Sequence, residues 1–199
     1  MPMSDDPMER GLVCEGEVPL GWERVTELPP EQRLAAINAA NESLIRSCEG
    51  LEEPYRSYEE SSDLAQELQR LDSKLTLVLD MLAESLRRPG ALPPASWVRF
   101  NAHGVSWTLA GAPERHPEPG ALIRIECYVC ASLPKPLVMY GRVSGPAQDA
   151  AGQVPERATV EFLGISQGLA DALERLVFRR HRREVAQLRG QRRGGLPGD

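Results

Sequence analysis

The stretch Ile123-Arg124-Ile125-Glu126-Cys127-Tyr128-Val129 decides the reading of this chain. Apolar Ile123, Ile125, Cys127 and Val129 alternate with Arg124, Glu126 and Tyr128, so an extended backbone puts the first set on one face and the second on the other. That is a half-buried strand. Val105, Trp107 and Leu109 repeat the pattern around Ser106 and Thr108, and Trp97 to Asn101, Leu137 to Val143 and Ala158 to Leu163 read similarly. The loops between them carry Gly111, Pro113, Pro117, Pro119, Gly120, Pro134, Pro136, Gly145, Pro146, Gly152 and Pro155. Five or six short strands at such turn-rich spacing predict a small antiparallel barrel.

Upstream of these strands the period is helical. From Glu31 to Cys48, Leu34, Ile37, Asn41, Leu44 and Cys48 fall at steps of three and four, which is one face of a helix. Asn41 lies in the middle of that face. It is either a polar seam residue that fixes register between subunits or a solvated position at the edge of an ordinary amphipathic contact. Gly50 and Pro54 close this helix, and no Gly or Pro appears from Tyr55 to Leu86. There Leu64, Leu68, Leu71, Leu75, Val78 and Leu82 step by 4, 3, 4, 3 and 4, as a heptad seam does. Leu77, Leu79, Met81 and Leu86 widen the stripe beyond what one partner helix covers, which predicts a bundle of more than two helices. The alternative is a long core helix lying on the C-terminal domain. A span of roughly 48 Å, at 1.5 Å per residue, argues against it. A final helix from Gln167 to about Arg189 presents Leu169, Leu173, Leu176 and Val177 before turning basic, and its first turns are expected to cap the barrel.

The expected architecture is therefore α+β: long heptad helices forming an oligomeric bundle, then a six-stranded antiparallel barrel with a C-terminal helix. Residues 1–29 read as a flexible acidic segment and 30–90 as a helical oligomerisation region with helices at about 31–48 and 55–88. Residues 92–190 read as a barrel plus helix able to fold alone, and 191–199 as a disordered basic tail.

The chain has 199 residues and a formal net charge of -6, and its charge is polar end to end. Residues 1–90 carry 19 acidic against 9 basic side chains, whereas residues 174–199 carry 3 against 8. Such a front and tail can attract each other between subunits. The longest apolar stretch, Leu75 to Ala83, is interrupted by Asp80 and falls far short of a membrane span. No export signal opens the sequence, so a soluble cytoplasmic protein with four reduced cysteines is expected.

Catalytic and metal motifs are absent from this reading. Cys127-Tyr128-Val129-Cys130 matches C-x-x-C, but residues three apart on a strand point to opposite faces, and no second Cys or His pair follows at zinc spacing. His103, His116 and His181 have no carboxylate or cysteine at ligand or triad spacing. The run Arg179-Arg180-His181-Arg182-Arg183 lacks the interleaved aromatics of a nucleic-acid interface and reads as a solvated helix end or a dock for acidic helices of a neighbour. The expectation is no enzyme, no metal, no nucleic acid and no membrane.

The segment Trp97-Val98-Arg99-Phe100-Asn101-Ala102-His103-Gly104-Val105-Ser106-Trp107, with the strand at Gly120 to Ile125, Gly141-Arg142-Val143, Val160-Glu161-Phe162 and the helix from Asp171 to Arg183, resembles a PilZ domain. The resemblance covers about residues 92–190. It implies a six-stranded barrel followed by a helix, in a family whose typical members bind cyclic di-GMP. The helical front half is similar to the atypical branch of that family, in which long heptad helices assemble four subunits.

Typical members carry R-x-x-x-R just before the barrel and (D/N)-x-S-x-x-G at its first hairpin. With Gly104 on the final glycine, Asn101 stands where serine belongs and Arg99 where the acid or amide belongs. Ahead of Trp97 the chain offers only Arg87 and Arg88, side by side, while Arg179 and Arg183 have the spacing but sit within the helical arginine run. Arginine forks grip phosphates and guanine edges, and a carboxylate or amide with a hydroxyl completes guanine readout. Arg99 can hold a phosphate but cannot accept from guanine donors. Gly104 then reads as the turn glycine of the hairpin. The resemblance thus implies a homo-tetrameric scaffold in cyclic di-GMP-linked regulation, with degenerate nucleotide motifs, weak or no nucleotide binding and an unidentified regulatory protein as partner. The alternative is a receptor that holds the nucleotide through Arg87, Arg88, Arg99 and the tail residues Arg179 and Arg183.

Overall fold

The computed structural model describes residues 6–52, 71, 74, 75, 77, 78, 81, 82, 92–109, 116–130, 133, 135–144 and 157–194. Six strands close into a barrel: β1 (Cys14–Arg24), β2 (Ala95–Phe100), β3 (Gly104–Thr108), β4 (Leu122–Cys127), β5 (Leu137–Ser144) and β6 (Arg157–Leu163). Around the barrel their order is β1-β2-β3-β6-β5-β4, and every neighbouring pair is antiparallel. Closure leaves no unpaired edge. The inward set read from the sequence is the one observed, with Val98, Phe100, Val105, Trp107, Ile123, Ile125, Cys127, Val160 and Phe162 all buried, but on β3 Ser106, read as polar-facing, is buried as well.

The first strand corrects the domain boundary. Residues 14–24 lie inside the segment expected to be flexible, yet they form β1, which pairs with β2 through Cys14 to Pro19 and with β4 through Leu20 to Arg24. Cys14, Val18 and Leu20 point into the core while Glu15 and Glu17 face solvent. Pro19 sits where β1 passes from one partner to the other. There the Leu20 amide donates to Pro94 O at 3.3 Å and the Tyr128 amide to Pro19 O at 3.0 Å. A proline lacks an amide proton, so a changeover between ladders is one of the few mid-strand places that accommodates it.

The first helix is also placed differently. Helix α1 (Glu31–Glu52) begins where expected and buries the expected face, but against the barrel of its own chain. Leu44, Ile45 and Cys48 join the core, and α1 packs on β5 and on α2 (Gln167–Gly194). Asn41 is 3% exposed and bonds Val138 on β5, so it is neither a subunit seam residue nor a solvated one. Asn38 donates to Gly164 O at 2.9 Å. Gly164 has φ +68, and a Cβ there would strike Leu34, so the turn that ends β6 needs glycine twice over.

Helix α2 caps the barrel with its first turns, as expected: Leu169, Ala172, Leu173, Leu176 and Val177 are buried. Ser166 caps it, accepting the Leu169 amide at 3.1 Å. Of the second expected helix, Leu71, Lys74, Leu75, Leu77, Val78, Met81 and Leu82 are helical. Their large apolar side chains are between 49% and 64% exposed. Leu64, Leu68 and the rest of 55–88 lie outside the described residues, as do Arg87 and Arg88.

Candidate functional site

The hairpin joining β2 to β3 carries the positions that the resemblance singled out. Asn101 follows the last residue of β2, and its amide donates to Gly104 O at 3.1 Å to close the turn. Its side chain does more. Oδ1 accepts the amides of His103 at 2.8 Å and Gly104 at 2.9 Å. Nδ2 donates to Pro7 O at 2.8 Å and to Arg10 O at 3.3 Å. An asparagine amide has two acceptor sites and two donor protons, so all four are engaged, in a residue 2% exposed.

The partner segment is built to sit there. Pro7–Glu9 is a single 3-10 turn capped by Asp6, whose carboxylate accepts the Met8 amide at 2.9 Å. Pro7 and Met8 are buried, and Arg10 Nη1 reaches Glu161 Oε1 at 2.7 Å. Gly104 is kept by this packing rather than by turn geometry, which corrects its reading as a turn glycine. Its φ is not positive; instead a Cβ would collide with Val160 O and meet Pro7 Cβ at 3.0 Å.

Arg99 points outward from β2. Its Nε lies 2.7 Å from Glu15 Oε1, directly opposite on β1, as an ion pair without the alignment of a hydrogen bond at that nitrogen. Across β3 stands Arg157, an arginine that sequence reasoning passed over. Its Nε donates to Ser106 Oγ at 3.2 Å, and Nη2 lies 3.4 Å from both Trp97 O and Ser106 O. Thr159 Oγ1 donates to Ser106 Oγ at 3.2 Å. Burial lowers the Arg157 pKa and the positive charge of Arg99 lowers it further, while Glu15 acts against both. The available signal was the outward register of Arg157, Thr159 and Glu161 on β6.

The remaining expected contacts lie elsewhere. Since β1 opens the barrel, the segment that precedes it is 6–13, where Arg10 follows Asp6 by four residues and no arginine pair stands. On α2, Arg179 Nη2 is 3.6 Å from Glu49 Oε2, and Arg182 lies 5.8 Å from the centre of the Phe178 ring. Arg179, Arg182 and Arg183 line a shallow hollow of about 400 Å³ that the hairpin residues do not line. Arg99, Asn101 and Gly104 therefore cluster on one hairpin, whereas Arg179 and Arg183 stand apart from it.

All four cysteines are buried, and none forms a disulfide. Burial pushes the Cys127 thiol up to about 12, so it stays protonated and offers no thiolate to a metal or substrate. Among the described residues no group of three His, Cys, Asp or Glu is placed to hold a metal ion, and no helix is long and apolar enough to cross a membrane.

A closed barrel of this order, with a C-terminal helix across its end, is a PilZ-type architecture. The family described as "Atypical PilZ domain, cyclic di-GMP receptor" matches residues 50–190, and the chain belongs to that family. The matched span begins after β1, so the strand that closes the barrel lies outside it. Among solved structures, a protein of Xanthomonas campestris is similar at 28% identity, with a TM-score of 0.66, over 92% of this chain and 93% of that one. That protein is described as a tetrameric PilZ domain self-assembled through an unusual helical bundle. None of the curated proteins matches.

Proposed function

We propose that this chain is a homo-tetrameric interaction module of cyclic di-GMP-linked regulation, whose nucleotide motif has become a structural staple. The observation that carries the reading is Asn101, whose four hydrogen-bonding positions are all taken by its own hairpin and by the carbonyls of Pro7 and Arg10. A ligand contacting that side chain has to break contacts that hold the fold together. The segment before the barrel supplies one arginine, and Glu161 engages it. Assembly is supported by the exposed apolar residues Leu71, Leu75, Val78 and Leu82, and by the tetrameric description of the Xanthomonas protein. The proposal is of a binding module rather than a catalyst, in a reducing cytoplasm that keeps the four buried thiols from forming disulfides.

A second reading has one observation in its favour. Arg99 and Arg157 share the outer face of the barrel with the hydroxyls of Ser106 and Thr159, and two guanidinium groups beside hydroxyls are suited to a phosphate. In that case the chain is a cyclic di-GMP receptor with non-standard arginines, and Arg87 and Arg88 are further candidates.

Calorimetric titration of the full chain with cyclic di-GMP at physiological salt separates the two. The module reading expects no saturable heat. Saturable binding that is specific over GMP and is lost in Arg99→Ala with Arg157→Ala overturns it in favour of the receptor.

A further inference from the structure

The seam between β1 and β4 is laddered only from Leu20 to Arg24. Its last rung is Pro19, which accepts the Tyr128 amide at 3.0 Å and has no amide proton to return. On the other side of β1 the Leu20 amide bonds Pro94 O, so the even-numbered residues bond toward β2 and the odd-numbered ones toward the seam. The next rung would therefore join Glu17 to Cys130. It is not formed: Cys130 O accepts the Leu133 amide at 3.3 Å instead, and the Glu17 N–H and C=O have no backbone partner across the seam among the described residues.

Where the two chains part lies a cavity of about 440 Å³. Val18, Val98, Phe100, Val129 and Cys130, all buried, line it together with Leu133. Gly16 is part of its wall, opposite Val98 and so on the inward face of β1. Other strand glycines have close neighbours: a Cβ at Gly104 or Gly141 would strike β6, and one at Gly21 would meet Pro93. A Cβ at Gly16 would meet nothing within 4 Å, and its φ is not positive, so neither crowding by the described residues nor backbone geometry asks for glycine there. A glycine inside a strand weakens it and often marks the place where a ligand comes close.

The lining favours neither sign of charge. Glu15 is engaged by Arg99, Glu17 turns its carboxylate to solvent, and Arg180 of α2 donates to Val129 O. Apolar walls around one neighbouring donor and acceptor suit a small uncharged ligand, and the volume is in the range of such sites.

We propose that this cavity binds a small uncharged molecule with an apolar body and an amide-like head. The body rests over Gly16, and the head completes the missing rung, its carbonyl accepting the Glu17 N–H and its own N–H donating to Glu17 O. A charged head would lose its hydration against apolar walls without gaining an ion partner. The site goes beyond the interaction-module reading and does not depend on it.

The test is a saturation-transfer NMR titration of the full chain with 4-phenylbutanamide, its carboxylate and ammonium analogues and its N,N-dimethyl amide. The primary amide should bind saturably. The two charged analogues should bind about tenfold more weakly or worse, and the dimethyl amide, which has no N–H, several-fold more weakly. Gly16→Leu should remove saturable binding while the melting temperature holds or rises, because the new side chain enters open space at a backbone conformation it can adopt. Phe178→Ala, in the wall of a different cavity, should leave binding unchanged. No saturable binding of the primary amide, binding that survives Gly16→Leu, an analogue that binds as well as the amide, or a melting temperature lowered by Gly16→Leu overturns the proposal. None of these outcomes bears on the calorimetry with cyclic di-GMP, which decides the module reading separately.

Discussion

Asn41 on α1 completes the hydrogen bonding of Val138 on β5: Nδ2 donates to Val138 O at 2.7 Å, and Oδ1 accepts the Val138 amide at 3.0 Å. The ladder between β5 and β6 starts at Tyr140 opposite Leu163, and the chain then turns away at Gly164. A side-chain amide thus supplies the rung that the departing strand leaves open. Asn41→Ala should cost about 1–3 kcal/mol, because a partly buried backbone N–H and C=O lose their partners together. Urea unfolding measures this, and an effect of a few tenths would refute the role. The oligomeric state should not change, since α1 faces its own barrel.

The fragment 92–190 should not fold. Without β1 the edges of β2 and β4 stand open, and Val18 and Leu20 no longer cover the interior. Circular dichroism of that fragment should show an unfolded or aggregating chain. A cooperative β-rich melt would mean that another segment can close the barrel.

Leu71→Asp with Val78→Asp should convert the proposed tetramer to smaller species while the barrel stays folded. Both positions are helical and about half exposed in the single chain, so the charges matter only where copies meet. Multi-angle light scattering supplies the readout. A tetramer that survives both changes places the contact elsewhere.

Cys127 makes the alkaline limb of stability steeper. Its folded pKa, near 12, lies above the ordinary 9.0, so the unfolded chain releases its proton first as pH rises. The stabilisation is full below pH 9 and is lost progressively toward 12. Denaturant midpoints of Cys127→Ala should fall less across that window than those of the parent, whatever the offset caused by the smaller side chain. In the native protein all four thiols should resist a maleimide at neutral pH.

Restoring the hairpin motif should not restore a nucleotide site. Arg99→Asp with Asn101→Ser removes both donors to the Pro7 and Arg10 carbonyls and should lower stability by about 2–4 kcal/mol, the scale for buried carbonyls left unpaired. Calorimetry should find no gain in cyclic di-GMP affinity. A saturable gain would show that the staple was all that kept the nucleotide out.

Period and spacing made β2 to β6 legible, because each carries an alternating apolar face, which on β5 persists through Leu137, Met139 and Val143 despite Gly141 in the same register. The inward face of α1 and the capping turns of α2 were legible for the same reason, at the helical period. Their partners were not. Strand β1 hid behind Gly16, Pro19 and Gly21, residues that break a strand signal locally, and Pro19 is accommodated where the strand changes neighbours. The helical pattern of Glu31 to Cys48 says which face is buried but not against what, so Asn41 stayed ambiguous until β5 lay beside it. The same holds for Asn101, whose partners Pro7 and Arg10 are more than ninety residues away in sequence. Local periodicity reports how a segment meets an apolar surface. Which groups satisfy one another across that surface depends on contacts between distant segments, and those exist only once the barrel has closed.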